Sequence, residues 1–189
     1  ETGSGKTTIS RLIFRFYEQQ KGTINVNGID IKEFPIQTIR QNIAYVTQNI
    51  ELFQASIRDN ITFFDKSITD SQIMAVLRKL HLTSWFEKMP QGLDTVLNSG
   101  ETGLSAGEAQ LLALTRVFLK DPKIVILDEA SSRLDPATEE LLSYAIEKLI
   151  ESRISIIIAH RLSTLEKVDE ILILTKGDVL EYGKKKNLL

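Results

Sequence analysis

Apolar residues recur at helical spacing near the start of the chain. Ile9, Leu12, Ile13 and Phe16 fall at i, i+3, i+4 and i+7, one face of a helix that Lys21-Gly22 is expected to end. Thr23 to Val26 and Ile29 to Ile31 read as short strands around Asn27-Gly28, a pair suited to a tight hairpin turn. Ile43 to Val46 reads as a further strand, ending at Thr47-Gln48. The texture then changes. Thr69-Asp70-Ser71-Gln72 has the form of a capping box, and Ile73, Val76, Leu77 and Leu80 follow at helical spacing. A short helix over Ser84 to Met89 and a loop through Gly92, Gly100 and Gly103 come next. Ser105 opens a long helix to about Lys120, which Asp121-Pro122 stops. Ile124 to Leu127 is wholly apolar, as in a strand covered on both faces. Asp135-Pro136 starts another helix, with Asp as N-cap and Pro in the first turn. Ile154 to Ile158 reads as a second buried strand, and Glu170 to Leu174 with Val179 to Tyr182 as a hairpin around Lys176-Gly177-Asp178.

Strands alternating with helices predict an α/β fold with helices on the faces of a mostly parallel sheet. Residues 49–121 form a helix-rich insertion, so the expected division is a core of 1–48 and 122–189 and a helical subdomain of 49–121. Composition changes this picture little. With 42% apolar and 25% charged residues in 189, bulk disorder is excluded. A net charge of −2 argues against a dedicated nucleic-acid binder, and nucleic acid is not an expected partner. The absence of cysteine excludes disulfides, thiol catalysis and Cys-based zinc sites. No stretch approaches the roughly 20 apolar residues of a spanning helix, and the first residues do not form a signal peptide. Lys184 to Lys186 reads as a solvated end.

Three segments carry chemistry. Gly3-Ser4-Gly5-Lys6-Thr7 matches the end of GxxxxGK[ST], directly before a helix. Its glycines let backbone N–H groups close on phosphate oxygens at the positive end of that helix. Lys6 would reach the outer phosphates and Thr7 would ligate Mg²⁺. In Ile124-Val125-Ile126-Leu127-Asp128-Glu129, two acids stand at the C-terminal end of an apolar strand, where ligands bind in open α/β sheets. Asp128 suits a Mg²⁺ shell and Glu129 suits a base polarising a water. Third, Gly103-Leu104-Ser105-Ala106-Gly107-Glu108 precedes the long helix, and Ser105 with Glu108 forms S-x-x-E, a capping box.

Together these resemble the ATP-binding-cassette (ABC) family, whose signature is LSGGQ. ETGSGKTT, Gln48 after a strand, LSAGE, IVILDEASSRLD and Ala159-His160-Arg161 occur in family order over nearly the whole chain. The resemblance implies a P-loop NTPase core and two cassettes paired head to tail, each ATP lying between one phosphate loop and the opposite signature. Thr2, Gly3, Ser4, Gly5, Lys6, Thr7 and Thr8 would hold phosphates. Thr7, Gln48 and Asp128 would surround Mg²⁺. Ser105 and Gly107 would contact the partner's γ-phosphate, and Asp135 would cross to the partner site. Glu129 is implied as catalytic base and His160 as the γ-phosphate switch, with Gln48 near the attacking water.

Ser56-Ile57-Arg58-Asp59-Asn60-Ile61 and Asn98 to Gly103, with the acid Glu101, resemble the exporter branch. The implied protein is an ATPase powering export from the cytoplasmic face of the plasma or inner membrane. Its implied partners are a transmembrane domain, fused or separate, and a second nucleotide-binding domain, identical or different. Phe53, Phe63, Phe64 and Trp85 are expected to be mostly core, with one or two lining a groove for a membrane-domain helix. The alternatives are a non-transport ABC ATPase and a degenerate half of an asymmetric pair.

Ala106 and Glu108 depart from the family signature. Ala106 requires negative φ. Glu108 is expected to turn back to the helix cap, away from phosphate. The chain is expected to begin within its phosphate loop, with a Gly, an apolar strand and an adenine-stacking aromatic upstream. Its end also looks early. Alone it should fold poorly or bind ATP weakly.

Overall fold

Hydrophobic segments of the chain gather into two units, Glu1–Thr47 with Lys123–Ser131 and Ser155–Leu189, and Gln48–Pro122 with Ser132–Ile154. The computed structural model describes residues 3–47, 49–97, 103–128, 135–159 and 168–188.

In the first unit, α1 (Lys6–Ile13) is shorter than the sequence pattern suggested. It stops because Arg15 adopts a left-handed φ of 53°. The guanidinium turns back, Nη1 donating to the carbonyls of Ile31 at 3.1 Å and Phe34 at 2.7 Å. Phe16 thus meets Phe14 and Tyr45 from beyond the helix end, at ring-centroid distances of 4.8 and 6.0 Å. The buried residue of α1 is Ser10, whereas Ile9 of the expected apolar face is exposed.

Strands β1 (Asn25–Val26) and β2 (Ile29–Asp30) form a minimal antiparallel hairpin. Asn27 and Gly28 both take positive φ, 51° and 81°, as the turn requires. Ile31, expected at the strand end, instead enters a single 3₁₀ turn over Ile31–Glu33, capped by Asp30. Helix α2 (Ile36–Asn42) had no counterpart in the sequence reading and follows Pro35. It leads into β3 (Ile43–Val46), which pairs in parallel with β4 (Ile124–Asp128), Tyr45 opposite Ile126.

The sheet order is β3-β4-β5, with β5 spanning Ile154–Ile158. Strand β4 is central and its middle three residues are buried. Strand β5 was expected to be buried too, but it ends the described sheet and Ile154 is 66% exposed. Ile31, Ile39, Ile43 and Ile126 form the core here, with Ile13, Phe14, Tyr45 and Ile156 packed around them. Strands β6 (Glu170–Thr175) and β7 (Asp178–Lys184) make the expected hairpin, turning on Lys176 (φ 49°) and Gly177 (φ 91°). A short helix, α8 (Lys185–Leu188), follows.

The second unit is helical. It contains α3 (Ile57–Thr62), α4 (Asp70–Lys79), α5 (Thr83–Phe86), α6 (Ala106–Lys120) and α7 (Pro136–Ile150). Helix α6 packs against α3, α4 and α7, and is apolar nearly all round, as suits a helix enclosed by others. Ile57, Ile73, Leu77, Leu111, Leu112 and Leu149 are fully buried. Because α7 lies on α6, this unit takes in residues 132–154 beyond the helix-rich block of 49–121.

The caps follow the sequence signals. Thr69 and Gln72 form a reciprocal capping box on α4. Asp135 accepts the Thr138 N–H at 3.0 Å, with Pro136 opening α7. Helix α6 ends at Asp121 in the left-handed region. Helix α3 was not anticipated, although Ser56 and Asp59 supply its cap, Ser56 Oγ accepting from Asp59 N at 3.0 Å.

Candidate functional site

The loop before α1 has the geometry of a phosphate cradle. Gly3 and Gly5 take φ of 82° and 99°, conformations that side chains resist. Gly5 has no side chain to cap the helix. The first intrahelical bond runs from Ile9 N to Gly5 O at 3.1 Å, so the amides of Lys6, Thr7 and Thr8 lie ahead of it at the positive end of the helix. Lys6 Nζ donates to Ser4 Oγ at 2.6 Å, which holds the ammonium over its own loop. The turn of the β6–β7 hairpin rests on this loop, Gly177 N donating to Ser4 O at 3.3 Å.

A run of closely spaced polar groups joins this helix to the acidic strand end. Ser10 Oγ donates to the carbonyl of Thr7 at 2.9 Å and lies 3.1 Å from the Tyr45 hydroxyl. The Tyr45 hydroxyl lies 3.4 Å from Asp128 Oδ2, and its single proton serves either this carboxylate or Ser10. Desolvation raises the Tyr45 pKa, the Ser10 bond lowers it, and nearby Asp128 adds to the rise. The phenol therefore stays protonated and able to donate. Asp128 sits half-buried at the end of β4. The Thr7 carbonyl and the Asp128 carboxylate stand at the two ends of this polar run. No three His, Cys, Asp or Glu side chains gather among the described residues, and a Mg²⁺ site built mainly on substrate phosphates needs no such group.

The signature lies at the N-terminus of α6. Ser105 is its exposed N-cap, Oγ accepting from Glu108 N at 3.2 Å. Glu108 turns back as expected, Oε2 accepting from Ser105 N at 2.8 Å. Its other oxygen, Oε1, accepts from Trp85 Nε1 at 3.0 Å. Desolvation would raise the Glu108 pKa, but the bonds from Ser105 and Trp85 outweigh it and hold the carboxyl below its ordinary value. Ala106 opens the helix with negative φ. Gly107 is buried in the first turn, while Ser105 and Ala106 face outward. Asp135 is exposed, and its carboxyl is held below the ordinary range by the Thr138 hydroxyl and amide. Thr2, Gln48, Glu101, Glu129 and His160 lie outside the described residues.

The structure also adds residues that the sequence did not single out. Asn60, fully buried, ties the loop that follows Gln48. Its Oδ1 accepts from Phe53 N at 2.9 Å, and its Nδ2 donates to the carbonyls of Phe53, Ala55 and Ser56 at 2.9, 3.3 and 3.1 Å. Arg116 Nε donates to the Asn60 carbonyl at 2.6 Å and its guanidinium stacks 4.5 Å from the Phe63 ring centre. Burial pushes the Arg116 pKa down to about 10, leaving it charged at neutral pH. The only sequence hint was Asn60 within the Ser56 to Ile61 motif.

Phe53, Phe63 and Phe64 stand exposed rather than in the core, ring edges toward one another. Phe63 and Phe64 hold successive positive φ values of 52° and 64°. Trp85, by contrast, is buried as expected.

These features match known proteins. Residues 1–132 match the sequence profile of the ABC transporter family. The heterocyst differentiation ATP-binding protein HepA of Nostoc sp. is 42% identical over 188 residues, covering 100% of this chain and 31% of the relative. The ATP-dependent lipid A-core flippase of Vibrio cholerae is 40% identical over 189 residues, covering 100% of this chain and 32% of the relative. A solved bacterial Atm1-family ABC exporter with ATP bound superposes with a TM-score of 0.88 at 34% identity, covering 100% of this chain and 33% of that one. The chain spans about a third of the length of the curated relatives it matches. With a P-loop NTPase fold, a glycine loop ahead of α1 and a capped helix α6 in place, this chain belongs to the ABC transporter family.

Proposed function

We propose that this chain binds and hydrolyses Mg-ATP to power export by a membrane transporter. The observation that carries the reading is the close succession of the Thr7 carbonyl, the Ser10 and Tyr45 hydroxyls and the Asp128 carboxylate, which sets a phosphate-binding helix beside a carboxylate. Backbone amides at the start of α1 and the Lys6 ammonium bind and orient the phosphates. Thr7, Gln48 and Asp128 would hold Mg²⁺, which when bound neutralises charge on the phosphates. Glu129 takes a proton from the attacking water, with Gln48 orienting that water and His160 meeting the γ-phosphate. Catalysis is positioning and charge stabilisation of phosphoryl transfer to water.

Two such domains, identical or different, pair head to tail. Each supplies Ser105 and Gly107 to the opposite ATP and extends Asp135 toward its partner. The exposed N-terminus of α6 supports this, since Ser105 is solvent-facing there. Membrane helices, fused or separate, dock on the exposed aromatics Phe53, Phe63 and Phe64 from the cytoplasmic side. Among the described residues no helix is long and apolar enough to cross a membrane. Capping of Glu108 favours a working signature over a degenerate one.

The test is Glu129→Gln in the full-length transporter. It should trap ATP and nearly abolish turnover; turnover at the wild-type rate would remove Glu129 from its role.

A further inference from the structure

Glu108 places a carboxylate in the first turn of the helix that presents Ser105. An unmanaged negative charge there would oppose an approaching phosphate. The structure shows how the charge is held. Oε2 takes the Ser105 amide at 2.8 Å and Oε1 takes the Trp85 indole N–H at 3.0 Å, with Lys88 adding its field. Trp85 is nearly buried on α5 and is the sole tryptophan of the chain. The indole can only donate, and an ionised carboxylate can only accept, so the pair is chemically matched. Ser105 Oγ is an acceptor for Glu108 N at 3.2 Å, which leaves its own proton to be donated to a ligand.

We propose that Trp85 is a positioning residue for nucleotide binding, holding the Glu108 carboxylate against the helix cap so that Ser105 meets phosphate without a competing charge. This rests on the reading of residues 103–108 as a phosphate-contacting signature. Without the indole, one carboxylate oxygen loses its donor. The side chain then has reason to leave the cap for solvent, freeing charge at the nucleotide-facing end of α6 and loosening Ser105. An amide at 108 carries no charge to misplace, so Trp85 should matter only when 108 is an acid.

That dependence is the test. ATPase kinetics of the full-length transporter are measured for wild type, Trp85→Phe, Glu108→Gln and the double variant. With Glu108 present, Trp85→Phe should raise KM for ATP on the order of fivefold, with kcat changing less than about twofold. With Gln at 108, the same Trp85→Phe change should move KM less than about twofold. KM does not depend on the folded fraction of a preparation, so a less stable variant still reports. A shift of equal size in both backgrounds, or in neither, overturns the proposal. Ser105→Arg separates this from failure of the underlying reading. If it leaves turnover and KM at wild-type values, the signature does not meet phosphate at all. If it abolishes turnover while the Trp85 shift is independent of residue 108, only the positioning role fails.

Discussion

Replacing Asn60 by Asp exchanges one amide nitrogen for oxygen and keeps the shape, in a side chain with no solvent exposure. The lost nitrogen donates to three carbonyls, those of Phe53, Ala55 and Ser56. A carboxylate would face all three as an acceptor. Protonated, it could satisfy one of the three. The amide's two hydrogens are shared among the three carbonyls, so the protonated acid loses one donor, at about 1 kcal/mol net. Keeping it protonated at pH 7, against an unfolded pKa of about 3.9, adds at most about 4 kcal/mol. Arg116 Nη2, 3.3 Å from Oδ1, relieves part of that by favouring the charged form. The expected loss is therefore about 2–4 kcal/mol at pH 7. The sign with pH follows from a folded-state pKa raised above the unfolded one. Below the unfolded value both states are protonated and only the hydrogen-bond loss remains. The penalty grows as pH rises toward the folded value and then levels. Urea unfolding followed by Trp85 fluorescence, at pH 7.5 and pH 5, measures the gap to wild type, since Trp85 lies in the same unit. A loss under about 1 kcal/mol at pH 7.5, or a gap that fails to narrow on acidification, would refute the donor assignment.

Other outcomes are expected. Thr69→Ala removes the α4 capping box and should cost about 1 kcal/mol in the same unfolding assay, with ATP turnover unchanged. Gly5→Ala puts a side chain at φ 99°, so nucleotide binding followed by titration should weaken about 5- to 30-fold, from about 1–2 kcal/mol of strain in the cradle. Glu108, with its folded pKa below the ordinary value, stabilises the fold above the unfolded pKa, and that stabilisation is lost as pH falls through the folded value. Glu108→Gln should flatten this acid limb in unfolding midpoints taken between pH 6 and pH 3. A tenfold or larger rise in steady-state ATPase from Glu108→Gln in the intact transporter would show instead that the acid brakes turnover.

Local signals were read well where a few neighbouring residues decide the outcome. Caps at Thr69, Ser105 and Asp135, the Asn27-Gly28 and Lys176-Gly177 turns, and β3 with β4 all stand where the pattern placed them. Some misses were local signals left unread, such as the Ser56–Asp59 cap of α3, while others depend on a partner far along the chain. Helix α1 ends where Arg15 reaches carbonyls at Ile31 and Phe34. Periodicity could not show that Phe16 stacks from outside the helix, or that α7 joins α6.

The sequence alone supplied the groups for the proposed chemistry. Glycines at 3 and 5, Lys6, Asp128 and the Ser105 to Glu108 segment point to phosphate handling by residue type and order, because backbone freedom and charge belong to the residues themselves. The tertiary structure decided how that chemistry is held. Tyr45 brings its hydroxyl to Ser10, 35 positions before it, and to Asp128, 83 positions after it. Asn60 and Arg116 brace the loop after Gln48, and Trp85 takes the second oxygen of Glu108. A donor and an acceptor find each other by packing, and packing is not written in the spacing of either one.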